Sequence, residues 1–243
     1  MLPELTIEEF ATVLDDTVGE FLADAGCDAP PFDAIELARR SGMEIAVDSR
    51  LVNRARTIQM AAPKRLARPS ILLRPEPRPE RRQWAVAHEI GEQLADRIFA
   101  RLSVLPEEAG PGSRERVANL LARRLLLPTR VFGDDARQCD WDLLALKQRY
   151  STASHELLAR RMLDFAPRVI ITVFDQGELR WRQGNLPGRA PPLSAAERAC
   201  LSRVRALETA VDTTTDGDRI QGWPVTEPQW QREILRTERL VDA

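Results

Sequence analysis

The sequence predicts an α+β protein: a mostly helical core with a small β-sheet, a helical extension, and a small C-terminal αβ appendage. Three observations carry that prediction. Apolar residues recur at helical spacing in several long segments, often behind capping signals. Short apolar runs bounded by turn residues gather at 43–74 and again at 168–183. The composition is that of an ordinary globular chain, with 30% charged and 43% hydrophobic residues among 243.

The first helix is expected over 6–25. Thr6 and Glu9 have capping-box spacing, and Phe10, Val13, Leu14, Val18, Phe21 and Leu22 form a stripe of period 3.6. A second, about 33–41, follows Pro30-Pro31 and stops at Ser41-Gly42. Residues 43–48, 55–60 and 70–74 read as short strands, and proline and arginine in 75–82 mark a connector. Long helices are expected at about 79–101 and 113–127, the latter ended by Pro128. Shorter helices follow at about 141–149 and 154–164. Residues 168–174 and 179–183 read as a β-hairpin with Gly177 in its turn. Residues 185–193 read as a linker. Ser194 and Glu197 cap a helix at about 195–208, residues 213–218 read as a loop, and Thr226 and Gln229 cap a last helix at about 227–240. The division expected is a core at 1–135, a helical extension at 136–166, and a hairpin with helices at 167–243.

Composition excludes several classes. The 37 acids and 35 bases leave a net charge of -2, so no whole-chain excess marks a nucleic-acid or membrane-surface binder. The charge is uneven along the chain: residues 1–49 are acidic and 50–82 basic, either a partner-binding surface or two patches that satisfy each other. Cys27, Cys139 and Cys200 are distant and odd in number, which excludes a structural zinc knot and disfavours a disulfide framework. The acidic N-terminus lacks a signal-peptide layout, and no run approaches the ~18 apolar residues of a membrane span. The expected location is the cytoplasm, with no membrane partner. His88 and His155 are the only histidines, so a three-histidine metal site is excluded.

The chemistry concentrates in residues 82–99. Trp84, Ala87, Ile90, Gly91, Leu94, Ala95 and Ile98 make a helix face for burial. His88 and Glu92 are four apart and so project from one side, with Glu89 beside them. This HExxE is one residue away from HExxH. Ligands at i and i+4 on a helix can reach one metal ion, and the intervening glutamate can hold and deprotonate the water it activates. The plain alternative is an amphipathic helix whose polar edge happens to read this way.

A second segment supplies what the first lacks. In residues 115–128, Glu115, Ala118, Asn119 and Ala122 share one helical side. Small residues at 118 and 122 permit close approach to another helix, and Gly91 offers the matching thin spot. Glu115 could then reach an ion held by His88. AHEIGE followed by E-R-V-A-N-x-x-A-x-x-L-L-x-P resembles the ImmA/IrrE family of metallopeptidases, whose pattern is HExGH on one helix and ExxAN with L-x-P on the next. Residues 32–48 and 71–92 resemble the family's early helix and strand and its approach to the active-site helix. The resemblance covers roughly 18–165. It implies a zincin-like core in which His88 is the first zinc ligand, Glu89 the catalytic glutamate and Glu115 the third ligand. It also implies a metal-dependent endopeptidase acting on a protein substrate, a DNA-binding transcriptional repressor.

Glu92 stands where the family has its second histidine. A carboxylate can ligate zinc at roughly the distance of an imidazole, 2.0–2.2 Å. Two carboxylates cancel the ion's charge, weaken it as a Lewis acid, and shift preference from Zn2+ toward Mn2+ or Fe2+. Three outcomes stay open: an active peptidase with an unusual ligand, a metal-binding inactive relative, and a metal-free regulatory scaffold acting by protein or DNA contact. Tyr150 and His155, both after the ligand helices, are the candidate donors to a carbonyl oxyanion. His155-Glu156 is not a second metal motif, because position 159 is alanine. Residues 141–163 have a helix-turn-helix outline, but acids offset their bases, so direct DNA binding is disfavoured. Oligomeric state is not legible.

Overall fold

The computed structural model describes residues 6–62, 65–105, 109–110, 112–165, 167–215, 217–227 and 230–240. They form two compact units, one of residues 1–134 with 149–154, the other of 135–148 with 155–243. No helix among the described residues is long and apolar enough to cross a membrane.

The first unit opens with α1, Ile7–Asp24, and its capping box forms as expected: Glu9 N–H donates to Thr6 Oγ1 at 3.1 Å and Thr6 N–H to Glu9 Oε2 at 2.9 Å. Leu14, Val18, Phe21 and Leu22 are its buried stripe. After α2, Ala34–Arg40, come β1, Glu44–Val47, β2, Ala55–Ala62, and β3, Arg65–Leu73. They make a sheet in the order β1-β3-β2, with β1 parallel and β2 antiparallel to β3. The third strand starts earlier than its apolar run. Pro69 sits inside it because β1 pairs only with Ser70–Leu73, so that ladder asks no N–H of the proline. The edge strand β2 stands beside α3, Pro79–Arg101, whose proline at the first helical position has no orphan N–H to satisfy.

α4, Ser113–Leu126, follows, and then α5, Thr129–Gln138, which the sequence reading lacked. Pro128 ends one helix and starts the next: its carbonyl accepts the N–H of Phe132 at 2.9 Å. Among the described residues, Asp48 pairs with Arg50 of the basic stretch, but other acids of the first 49 residues turn elsewhere. Glu20 pairs with Arg101 and Asp15 with Arg124, both beyond that stretch.

The second unit contains most of α6, Leu143–Arg149, then α7, His155–Met162, and the expected hairpin of β4, Val169–Asp175, and β5, Glu178–Gly184. After α8, Ala195–Leu207, with its Ser194–Glu197 capping box, three strands complete an antiparallel sheet of order β5-β4-β8-β7-β6. These are β6, Val211–Thr214, β7, Asp218–Glu227, and β8, Trp230–Arg239. Two expectations fail here. The loop at 213–218 begins as strand β6, and the helix at 227–240 is strand β8; the intended cap residue Gln229 lies outside the described residues. β8 pairs on one side with β4 and on the other with β7. Ile234 and Leu235, which a helix would set on one side, therefore face opposite ways. Pairing on both edges overrides a helix-like local pattern.

α8 covers one sheet face, over a core of Phe174, Cys200, Leu201, Val204, Val211, Ile220 and Leu235. Gly222 makes the fit possible, since a Cβ there would stand 2.6 Å from Val204 Cγ2. Within this layer Glu197 is buried and ion-paired with Arg182, accepting from both guanidinium ends at 3.0 Å, and it also accepts from Thr237 Oγ1 and Ser194 N–H. Burial alone would raise its pKa, but Thr237, Ser194 and Arg182 together hold it below the usual carboxylate value.

Cutting one partner of this pair strands the other in a poor solvent. Arg182→Met is expected to cost about 3–5 kcal/mol, measured by urea denaturation at neutral pH. Because the folded pKa of Glu197 is lowered, its contribution is present above the carboxylate range and fades as pH falls through the folded value. The gap between wild type and Glu197→Gln should narrow in acid. A constant gap would contradict this assignment.

Candidate metal centre

α3 buries the face formed by Ala87, Ile90, Gly91, Leu94, Ala95 and Ile98, and leaves His88, Glu89 and Glu92 half-buried along its edge. α4 buries Val117, Ala118, Leu121, Ala122 and Leu125. The two helices meet where side chains are smallest. A Cβ on Gly91 would lie 2.6 Å from the Ala118 carbonyl oxygen and 3.1 Å from its Cα. This contact sets Glu115, in the first turn of α4, opposite His88.

His88 Nε2 lies 3.5 Å from Glu115 Oε2 and 4.0 Å from Glu92 Oε1. Candidate ligand atoms of all three residues lie within 4.8 Å of one another. Two atoms bound to one zinc ion at roughly 2.0–2.2 Å stand about 3.3–3.6 Å apart at a tetrahedral angle. Small side-chain rotations close the difference, so the trio fits a divalent ion.

Each carboxylate is held at one oxygen. Asn119 Nδ2 donates to Glu115 Oε1 at 3.0 Å, which leaves Oε2 toward His88. Arg114 Nε donates to Glu92 Oε2 at 2.7 Å, which leaves Oε1 toward His88. Thr57 Oγ1, on β2, donates to Glu89 Oε2 at 2.8 Å. Arg114 also bonds Asp96, one turn after Glu92. Hydrogen bonding to Asp96, and then to Glu92, raises the Arg114 pKa above the ordinary guanidinium value against the opposing effect of burial. A cleft of about 620 Å³ opens here, lined by Arg56, Thr57, His88, Glu89, Glu92 and Arg114 among others.

Of the two expected donors to an oxyanion, Tyr150 belongs to the same unit as the cleft and His155 to the other. Tyr150 is wholly buried in the first unit, its ring 5.4 Å from that of Phe132 and 6.4 Å from that of Phe32, and it does not line the cleft. An aromatic ring at a helix end found a core slot where a cleft position was expected. His155 is half-buried at the start of α7, in the second unit. Conversely, sequence reasoning missed Thr57 and Arg114. Thr57 is 32 residues from its partner, across a strand register that no local pattern encodes. Arg114 had a usable signal: it adjoins Glu115, and Glu92 and Asp96 are spaced one turn apart on the facing helix.

A family model described as the IrrE N-terminal-like domain of a peptidase family matches residues 35–163. No curated protein matches the chain in sequence. Among solved structures, a chain described as a Mycobacterium tuberculosis transcriptional regulator is similar at a TM-score of 0.63 and 19% identity, over 93% of this chain and 76% of that one. At that identity the likeness is one of fold.

The Gly91 contact yields a direct test. Alanine normally favours a helix interior over glycine by roughly 1 kcal/mol. Here Gly91→Ala should instead destabilise, by about 1–3 kcal/mol, because the clash is with backbone. It should also weaken divalent-metal uptake, read by thermal unfolding with and without added Zn2+. A stabilised variant would contradict the close approach.

Proposed function

The chain belongs to the family of the IrrE N-terminal-like domain, and on that premise we propose that it is a cytoplasmic metal-dependent endopeptidase whose substrate is a DNA-binding transcriptional repressor. One observation carries the reading: His88 Nε2 faces one oxygen each of Glu92 and Glu115. These three residues would hold a divalent ion, with zinc the leading candidate and manganese or iron the alternatives that two carboxylates favour. When bound, the ion supplies Lewis acidity, polarising the scissile carbonyl and acidifying water. Glu89 takes the proton from the attacking water and passes it to the leaving amine. Thr57 holds Glu89 Oε2, so that Oε1 is the oxygen left for that proton.

The similar chain's description as a transcriptional regulator supports a regulatory setting for such cleavage. Direct DNA reading by α7 has little support from its charges. Arg161 is buried and paired with Asp164, and Arg160 pairs with Glu156 and stacks 4.0 Å over Trp181. A second reading, a regulator that no longer cleaves, draws on the same neighbour and on the glutamate at position 92.

Glu89→Gln separates the two. On a peptide library read by mass spectrometry, cleavage should fall by about 10²–10⁴-fold, while metal content is retained. Glu115→Ala should lose both. Cleavage that survives Glu89→Gln would overturn Glu89 as the general base, whereas loss of cleavage with a full regulatory effect of that variant in cells would favour the non-catalytic reading.

A further inference from the structure

We propose that Arg114 is the positioning residue that lets a glutamate serve as the second ligand. This rests on the reading that His88, Glu92 and Glu115 hold an ion. A glutamate at i+4 differs from a histidine in two ways. It has more side-chain freedom to lose on ligation, and it brings a full negative charge. Arg114 answers both from the first turn of the neighbouring helix.

Its contacts span one turn of α3. Nε donates to Glu92 Oε2 at 2.7 Å and Nη2 to the Glu92 backbone carbonyl at 2.5 Å. Nη1 pairs with Asp96. The guanidinium thus grips both the side chain and the backbone of Glu92 and is itself steered by Asp96. One carboxylate oxygen is occupied, and the other is turned toward His88 Nε2. The Glu92–Arg114 pair is formally neutral, as an imidazole would be. Asp96 has the side chain more open to solvent, 65% exposed against 27% for Glu92, so its charge is the better screened of the two.

The consequence is a dependence that only the glutamate version has. Zn2+ and Mn2+ affinities of the full chain would be measured by competition with a chromophoric chelator. Arg114→Gln should weaken binding about 10- to 100-fold, the usual effect of removing a group that orients a ligand. Arg114→Lys should recover part of the loss, because it keeps the charge but not the fork. In a Glu92→His background, Arg114→Gln should bring no loss. Equal losses in both backgrounds would make Arg114 merely structural and overturn the proposal. So would unchanged or tighter binding by Arg114→Gln, which would mean that the arginine holds Glu92 away from the ion. If Arg114→Gln fails to fold, Arg114→Lys decides, since its fork is lost while its charge remains: affinity equal to wild type overturns the proposal. Failure of the wild-type chain to take up either ion would overturn the underlying metal reading as well, an outcome distinct from the others.

Discussion

The missing Cβ at Gly91 sets how closely α3 and α4 approach, and the candidate centre depends on that distance. Ala118, wholly buried, presents its backbone to the glycine. A larger residue at either position would lift the first turn of α4 away from the edge of α3. Glu115 would then lose its place opposite His88. The helices pack for the ordinary reason, burial of apolar faces. The chemistry follows from where that packing is thinnest.

Charge is the second constraint. Glu89, Glu92, Asp96 and Glu115 gather on two adjacent helix edges, with Arg114 among them. Carboxylates that close repel unless cations or donors intervene. The intervening donors are Thr57 on Glu89, Asn119 on Glu115, and Arg114 on both Glu92 and Asp96. The remaining oxygens of Glu92 and Glu115 converge on the imidazole of His88 and attract positive charge. A single histidine would suffice to anchor an ion here because the carboxylates are prearranged. The same arrangement would moderate the Lewis acidity of an ion bound there.

Much of this was legible in residues 82–128. Period 3.6 gave both helices, the i, i+4 spacing put His88 and Glu92 on one side, and the small residues at 91, 118 and 122 marked the close approach. The capping boxes at Thr6 and Ser194 formed where they were read. What was not legible depended on distant partners. The strand β8 carries a helix-like stripe and a capping-like start, and pairing with β4 and β7 on both edges decided its form. Helix α5 begins directly behind a proline read only as a stop. Thr57 reaches Glu89 through a strand position that nothing in the local sequence distinguishes. Tyr150 was singled out for its chemistry, yet its ring fills a slot between Phe32 and Phe132.

Whether His88, Glu92 and Glu115 hold a divalent ion together is tested most directly by anomalous diffraction from crystals grown with Zn2+ or Mn2+. A peak bonded to His88 Nε2 and to one oxygen each of Glu92 and Glu115 is the expected result, with Arg114 still on the other oxygen of Glu92. No peak at that position from protein saturated with either ion, or an ion bound without Glu92, would contradict it.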